Sequence, residues 1–470
     1  MTWRNWSGTV TAEPREVVAP VDAGAAAGVL AGAAASGRRV RPLGSGHSFS
    51  PIGQPTDIAV SLAALTGVRS HNLANGHVWV GAGTRLRDLN RELDALGLAL
   101  PNLGDIDHQT IAGAIATGTH GTGLGLLGIA AAVVGVELAT PAGQVLRCTP
   151  GDGTFEAARI NLGALGIVTA VELQAVPAFR LRAVEGPLPL AEVLADPRAF
   201  AASADHAEFF WFPHTHTVST RRNHRDGADG EPLPAWRTVL EGEVLNNGVF
   251  ALVNRVGAAA PRLVPGLNRL SAAAMGSRTY ADRSHRVFCS PRRVRFVESE
   301  YAVPIEAVAP VLHELRAWYG RTRAPVQFPV EVRFVAADDV WLSGAYGRET
   351  AYVAVHQYVG AAVGDSFDAF ERIVAGHDGR PHWGKQQHAR GRAVARGAPA
   401  VGRLPGGPRP AGPETRAGQP PPGAHPGSLT DLVHRALSGT GEVVHRRPEL
   451  GGPNRAGCLN TGHGPTTRNR

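Results

Sequence analysis

The sequence predicts a chain of mixed helix and strand built as two folded domains, 1–177 and 178–385, followed by a disordered tail, 386–470. Three observations predict it. At 470 residues the chain exceeds what one hydrophobic core organises. Near Pro177 a regular alternation of short strand and helix patterns gives way to longer, less regular segments. At Gln386 the composition breaks: 386–470 holds 16 Gly, 12 Pro and 12 Arg and no aromatic residue. Such a segment buries too little apolar surface to offset its ordering entropy.

The same break localises the charge. The formal net charge is +7, and the tail sets 12 arginines against 4 acidic residues. The first 385 residues hold 35 basic and 36 acidic side chains. The basic balance therefore belongs to the tail, and no nucleic-acid partner is expected for the folded body. A tail acting as a nucleic-acid or membrane tether is a separate reading, tested by salt-sensitive binding. No charge-free apolar run of spanning length occurs and the start lacks a signal-peptide shape, so no transmembrane segment is expected. Cys148, Cys289 and Cys458 are few and scattered, which makes a cytoplasmic protein the expectation.

Taken in order, Glu16-Val17-Val18 reads as a strand. Asp22 is placed to cap an alanine-rich helix to about Ser36, ended by Gly37. Gly24, Gly28 and Gly32, four apart, predict a smooth face packed on a sheet. Arg39 to Leu43 is a second strand, completing a βαβ unit that leads into a glycine loop. Asp57 to Leu62 and His77 to Gly81 are further strands. Thr84 is expected to cap a helix carrying Leu86, Leu89, Leu93 and Leu96, with Gly97 as its C-cap. A short helix of small residues, about Thr110 to Ala116, runs into a second loop rich in glycine and threonine. Val133 to Ala139 and Gln144 to Cys148 form a hairpin across Pro141-Ala142-Gly143. A helix from about Thr154 precedes a strand from Ile167 to Leu173.

Four stretches carry chemistry. Gly44-Ser45-Gly46 can turn backbone N–H groups inward as an anion nest, with His47 and Ser48 at its rim. Val330 to Val335 places Glu331 and Arg333 on one strand face, and Ala351 to Val359 does the same for Tyr352, His356 and Tyr358. Lys385, the only lysine in the chain, closes G-R-P-H-W-G-K. A compact ammonium kept where arginine is used everywhere else points to a requirement for a rotatable point charge. Two stretches are decoys. Gly123 to Gly128 spells G-x-G-x-x-G but follows a loop, which excludes a Rossmann site. His214 and His216 share a strand face without a third ligand, so no metal is expected.

G-S-G-H-S-F-S, A-G-A-I-A-T-G-T-H-G-T-G, L-G-A-L-G-I-V, E-V-R-F and H-W-G-K stand in one order. In these five motifs the chain, from about residue 5 to 385, resembles the aldonolactone oxidases, which include D-arabinono-1,4-lactone, L-gulonolactone and alditol oxidases of the vanillyl-alcohol-oxidase flavoprotein superfamily. The resemblance implies an α+β fold, with a PCMH-type FAD-binding domain of two subdomains followed by a substrate (cap) domain on a large antiparallel sheet. It implies FAD held by Gly44, Ser45, Gly46, His47 and Ser48, by Thr117, Gly118, Thr119, His120 and Gly121, and by Gly166 and Ile167. His47 would be bonded covalently to the flavin.

The implied reaction oxidises a CH–OH carbon of a sugar lactone, with a hydride passed to the flavin and molecular oxygen reduced to hydrogen peroxide. Lys385 and Arg333 would orient the hydroxyl and stabilise the reduced flavin. Glu331 would bind substrate hydroxyls, His356 would accept the proton, and Thr110 would touch the substrate. Alternatives within the resemblance are a polyol such as xylitol or sorbitol as substrate, and a dehydrogenase using another electron acceptor. The tail departs from the family, whose members continue past H-W-G-K with a helix and a D-P-x-x-x-F-x-N-x-Y-L-like ending. A frameshift near codon 386 would produce this arginine-, glycine- and proline-rich replacement, and an inactive flavin-binding product is the corresponding alternative.

Overall fold

The computed structural model describes residues 2–226, 229–362 and 364–387. The tail assigned to disorder or frameshift, 386–470, lies outside the described residues from position 388 onward. The first parallel unit forms as its sequence requires. Strands β1 (Glu16–Val18) and β2 (Val40–Leu43) both pair in parallel with β3 (Ile58–Ser61), which lies between them. The helix α1 (Ala23–Ala35) starts where Asp22 accepts a hydrogen bond from the Ala25 N–H at 2.7 Å.

A second sheet of five strands is antiparallel, in the order β7 (Val145–Cys148), β6 (Val133–Ala139), β8 (Ile167–Gln174), β5 (His77–Gly81), β4 (Val68–Asn72). α1 packs on β6 and β8, and this is where one expectation is corrected. Its buried stripe is Ala26, Ala27, Leu30 and Ala33, while Gly24, Gly28 and Gly32 face solvent. Burying methyl and isobutyl groups removes apolar area from water; burying glycines removes almost none.

The strand β4 has no signature in the sequence. Its residues V-R-S-H-N are mostly exposed at the sheet edge, so they carry no apolar alternation. Thr84 is also corrected. The helix α2 (Leu86–Ala95) has Arg85 at its N-cap, without a side-chain cap. The Leu86 and Arg87 N–H groups are instead satisfied by the Gln109 and Asp107 carbonyls. The Thr84 hydroxyl donates to the Gly81 carbonyl and accepts from the Gly67 N–H, stitching two turns together.

All strands of the third sheet come from 180–381, and those of the other sheets from residues before 178. Its eight strands run antiparallel in the order β12 (Arg278–Arg283), β9 (Arg180–Pro189), β11 (Thr217–His224), β10 (His206–Trp211), β14 (Val330–Val335), β15 (Thr350–Tyr358), β13 (Phe296–Pro304), β16 (Arg380–Pro381). One face of its central strands packs on helices Val308–Thr322 and Ser366–Ala375 through Trp211, Phe334, Leu315 and Phe370. The other face carries the polar residues of β10, β13, β14 and β15.

His214 and His216 do not share a strand face. They sit in the turn between β10 and β11, His214 at φ +69°, with ring nitrogens near the Ala324 carbonyl and Arg316.

Candidate active site

The loop after β2 lies against the start of a helix, α3 (Ile111–Ala116). A Cβ on Gly44 would stand 2.8 Å from Thr110 Oγ1, so only glycine permits this approach. Gly46 takes φ +72°, which also favours glycine. Ser45 Oγ is buried with no hydrogen-bond partner among the described residues. A narrow channel of about 110 Å³ runs here, walled by Gly44, Ser45, Gly46, Gly113, Thr117 and Gly166 among others. It adjoins a far larger cavity of about 1310 Å³, and His47, Ser48, Gln109 and Thr117 line both.

His47 therefore stands at the junction. Its ring stacks on Trp6, at 5.5 Å and 24°, and on His108, at 6.1 Å and 9°. Burial first, then the neighbouring His108, Lys385 and Arg85, push its pKa down to about 4. At neutral pH it is a neutral imidazole with a free lone pair, the nucleophilic form.

The large cavity lies over the polar face of the eight-stranded sheet. Register decides who meets whom: β10 sets Glu208 opposite Arg333, and β13 sets Glu298 opposite His356. The Arg333 guanidinium lies 2.8 Å from Glu208 Oε2, 2.5 Å from Glu331 Oε1 and 3.7 Å from Asp105 Oδ1. Asp105 is also held by Arg292 at 2.5 Å. Burial opposes the Asp105 charge, but Arg292 and Arg333 outweigh it and hold the carboxyl well below its usual range. Glu331 goes the other way. Burial pushes it up to about 8 against the pull of Arg333, with the Asp105 and Glu208 charges adding to the rise.

His356 Nδ1 lies 3.2 Å from the Pro329 carbonyl. A carbonyl only accepts, so Nδ1 carries the proton and Nε2 of the neutral ring offers a lone pair. Burial lowers the pKa of this ring, more than the nearby Glu298 raises it. Nε2 stands 3.6 Å from Glu298 and 3.9 Å from Glu331, too far for direct hydrogen bonds. Lys385 Nζ lies 2.6 Å from Glu298 and 3.6 Å from Glu300, with its ammonium 5.4 Å from the Phe49 ring centre. Burial opposes its charge, and Glu298 and Glu300 outweigh that opposition and hold it protonated.

The turn carrying Lys385 is fixed by the loop carrying His47. The Phe49 N–H donates to the Gly384 carbonyl at 2.7 Å, and the Ser50 hydroxyl donates to the Trp383 carbonyl at 3.0 Å. Trp383 is buried and donates its indole N–H to the Leu342 carbonyl at 2.6 Å.

His120, Glu300 and His382 are buried together and could in principle offer three ligand atoms to a metal. Their hydrogen bonds argue otherwise. His382 Nδ1 accepts from the Gly384 N–H at 3.1 Å, so its neutral ring carries the proton on Nε2 and has no lone pair left there. Burial lowers the His382 pKa to about 3, which keeps that ring neutral. His120 donates Nδ1–H to the Gly121 carbonyl, stacks on Tyr352 at 3.6 Å and turns Nε2 to Glu300 at 3.2 Å.

The structure thus brings Glu331, Arg333, His356 and Lys385 to one cavity, with Thr117, Thr119 and His120 on its wall. Thr110 stands apart from these four. It lines the narrow channel and not the large cavity, and its hydroxyl accepts from the Gly113 N–H as the cap of α3. Gly118, Gly121 and Ile167 line neither space: Gly118 closes α3 at φ +77°, Gly121 packs on Asn102 and Leu103, and Ile167 is fully buried in β8. Asp105, Arg292, Glu208, Glu298 and Glu300 are site residues that sequence reasoning missed. A usable signal existed for Glu298 and Glu300, two carboxylates spaced i, i+2 in a strand whose other residues, Ser299 apart, are apolar or aromatic.

Known proteins resemble this chain along most of its length. Residues 171–396 match the family D-arabinono-1,4-lactone oxidase, and residues 14–149 match the family FAD binding domain. The chain is 41% identical over 386 residues to L-gulono-1,4-lactone dehydrogenase of Mycobacterium tuberculosis, covering 82% of this chain and 90% of that protein. It is 33% identical over 392 residues to L-gulonolactone oxidase of Scyliorhinus torazame (82% and 88% covered), and 32% identical over 395 residues to alditol oxidase of a Streptomyces species (81% and 88% covered). In fold it is similar to cholesterol oxidase from Brevibacterium sterolicum, with TM-score 0.69 at 19% identity over 82% of this chain and 86% of that one. The residues present fit an FAD. The channel wall includes six glycines and the orphaned Ser45 hydroxyl, and it joins the large cavity at His47.

Proposed function

The chain belongs to the aldonolactone oxidase family of FAD-dependent oxidoreductases, and on that footing we propose that it oxidises the CH–OH carbon of a sugar-derived 1,4-lactone. The observation that carries this reading is the convergence of Glu331, Arg333, His356 and Lys385 on one cavity beside His47. FAD, when bound, supplies the hydride acceptor. The chain's own residues do the rest. His356 Nε2 takes the hydroxyl proton, its tautomer fixed by the Pro329 carbonyl. Glu331, protonated at neutral pH, and Arg333 hold further hydroxyls of the substrate. Lys385, kept charged by Glu298 and Glu300, stabilises negative charge that develops beside it. Gly44, Ser45, Gly46 and Ser48, with Thr117, Thr119 and Gly166, hold the nucleotide, and His47 is its covalent anchor. The division into a cofactor domain, 1–177, and a substrate domain, 178–385, belongs to the same reading, as does a cytoplasmic location.

Molecular oxygen is proposed as the final acceptor, in line with the relatives named oxidases. The relative named a dehydrogenase is more similar in sequence and favours a second reading, in which another acceptor takes the electrons. Anaerobic mixing with L-gulono-1,4-lactone, D-arabinono-1,4-lactone and xylitol tests the donor: a lactone is expected to bleach the flavin absorbance fastest, and no bleaching by either lactone would sink the reading. Peroxide released under air, compared with turnover on an artificial acceptor, separates the two acceptors.

A further inference from the structure

Five charged side chains cross the large sheet in register, one on each of five neighbouring strands and alternating in sign. Arg278 on β12 stands opposite Glu185 on β9, Glu185 opposite Arg221 on β11, Arg221 opposite Glu208 on β10, and Glu208 opposite Arg333 on β14. The ion pairs follow the register. Arg278 lies 2.7 Å from Glu185, Arg221 lies 3.2 Å from Glu185 and 3.1 Å from Glu208, and Arg333 lies 2.8 Å from Glu208. Both ends of the row are closed by carboxylates from outside the sheet. Glu241 meets Arg278, and Asp105, from the loop before α3, lies 3.7 Å from Arg333 and is itself held by Arg292. Every arginine of the row thus stands between two carboxylates. Cross-strand ion pairs add little to a sheet, and apolar side chains of similar volume serve a buried face as well. Stability does not account for the row.

Its effect on Arg333 is chemical. A guanidinium recognises a carboxylate through two adjacent N–H groups. Both two-nitrogen edges of Arg333 include Nη2, which faces Glu331 at 2.5 Å and Asp105 beyond it, and Glu208 takes Nε. An incoming carboxylate therefore finds no open fork, and it meets the charges of Glu208 and Asp105 at close range. At most Nη1 is left, for one neutral oxygen. Lys385, the other cation beside the reacting carbon in the reading above, is likewise covered by Glu298 and Glu300. A 1,4-lactone opens in water to its aldonate, which keeps every hydroxyl and gains a carboxylate. We propose that Glu208 and Asp105 are specificity-determining residues that fit this site to the neutral lactone and shut out the open-chain aldonate. This rests on the reading of the cavity as a lactone site. Glu208 acts through Arg333 from behind the cavity wall, with Arg221 holding it in place, while Asp105 lines the cavity itself.

The test measures binding and needs no turnover: anaerobic titration calorimetry of the full-length, flavin-loaded protein with L-gulonate. Sorbitol, which carries the same hydroxyls and a CH2OH group in place of the carboxylate, is the neutral control. Wild type should show no saturable heat with L-gulonate at millimolar concentration. E208Q/E331Q and D105N/E331Q should each gain L-gulonate binding, on the order of tenfold or more, with no matching gain for sorbitol. Gln at position 331 is needed there because an ionised Glu331, 2.5 Å from Arg333, would replace the lost charge. E331Q alone and E208D, which keeps the charge, should still exclude L-gulonate. A variant that merely loosened the site would lose affinity for neutral ligands and gain none for an anion. Saturable binding of L-gulonate by wild type overturns the proposal, as does the absence of a gain in both double variants at native flavin content. A gain in E331Q alone also overturns it, by giving the exclusion to Glu331. Bleaching of the flavin by the lactones is read separately: its absence would sink the oxidation reading, while the L-gulonate titrations still decide whether the two carboxylates exclude an anion.

Discussion

Glu331 and His356 face the same gap, yet burial acts on them in opposite chemical senses. It keeps the carboxyl protonated and the imidazole neutral, so at pH 7 one donates and the other accepts. Glu331→Gln, which mimics the protonated acid, should therefore hold activity within about threefold at pH 7, whereas Glu331→Ala should lose roughly 10- to 100-fold. Stability gives an independent readout. The folded-state pKa of about 8 lies above the ordinary 4.5, so between those values the folded chain holds a proton that the unfolded chain has released. The contribution is fully present below about pH 4.5 and is lost as pH rises through 8. Wild-type Tm should fall relative to E331Q across that window; parallel curves would show that the carboxyl titrates normally. His356, lowered by burial, predicts an acid limb in kcat/KM below pH 6.5 that disappears in H356A. For His47 the measurement is colour. Acid-precipitated wild-type protein should keep its flavin in the pellet, and H47A should release it; flavin free in the wild-type supernatant would remove the covalent anchor.

At the level of elements, the loop after β2 and the N-terminus of α3 are one unit, because Gly44 and Thr110 share the same space. Gly44→Ala places a methyl 2.8 Å from Thr110 Oγ1 and 3.5 Å from Gly113 Cα. It should cost about 1–3 kcal/mol and lower FAD occupancy. Thr110→Ala alone should cost about 1 kcal/mol through the lost cap. Because the second change removes the atom that clashes, the double variant should be more stable than the sum of the two, by roughly 0.5–3 kcal/mol. Additive urea-unfolding energies would separate the two sites.

These elements were largely legible in the sequence. Caps, glycine stops and leucine spacing are local signals, and they located α1, α2 and α3 to within a residue or two. What was not legible is pairing across the chain. Glu208 became a site residue only because β10 lies beside β14 with Glu208 opposite Arg333, a pairing between positions 125 apart in the sequence. β4 escaped for the opposite reason: an exposed edge strand buries nothing, and so imposes no pattern on its residues.

Across the whole molecule, the two motifs that stood out most in the sequence, the His47 loop and the Lys385 turn, are hydrogen-bonded to each other although more than 330 residues separate them. The His47 and Lys385 parts of the cavity wall therefore depend on one joint, and Trp383 is its centre. The indole is 3% exposed, donates to the Leu342 carbonyl, and its own carbonyl accepts from Ser50. Trp383→Ala removes the largest side chain at the joint and leaves a buried carbonyl without its donor, which should cost about 3–5 kcal/mol. If the joint acts as one unit, the damage reaches His47 as well as Lys385. W383A should then show reduced covalent flavin per mole of folded protein, in addition to lost activity. Trp383→Phe keeps most of the volume but not the N–H, so it should recover most of the flavin incorporation and only part of the stability. Normal incorporation in W383A, measured on the folded fraction, would show that the flavin loop is organised without the distant turn.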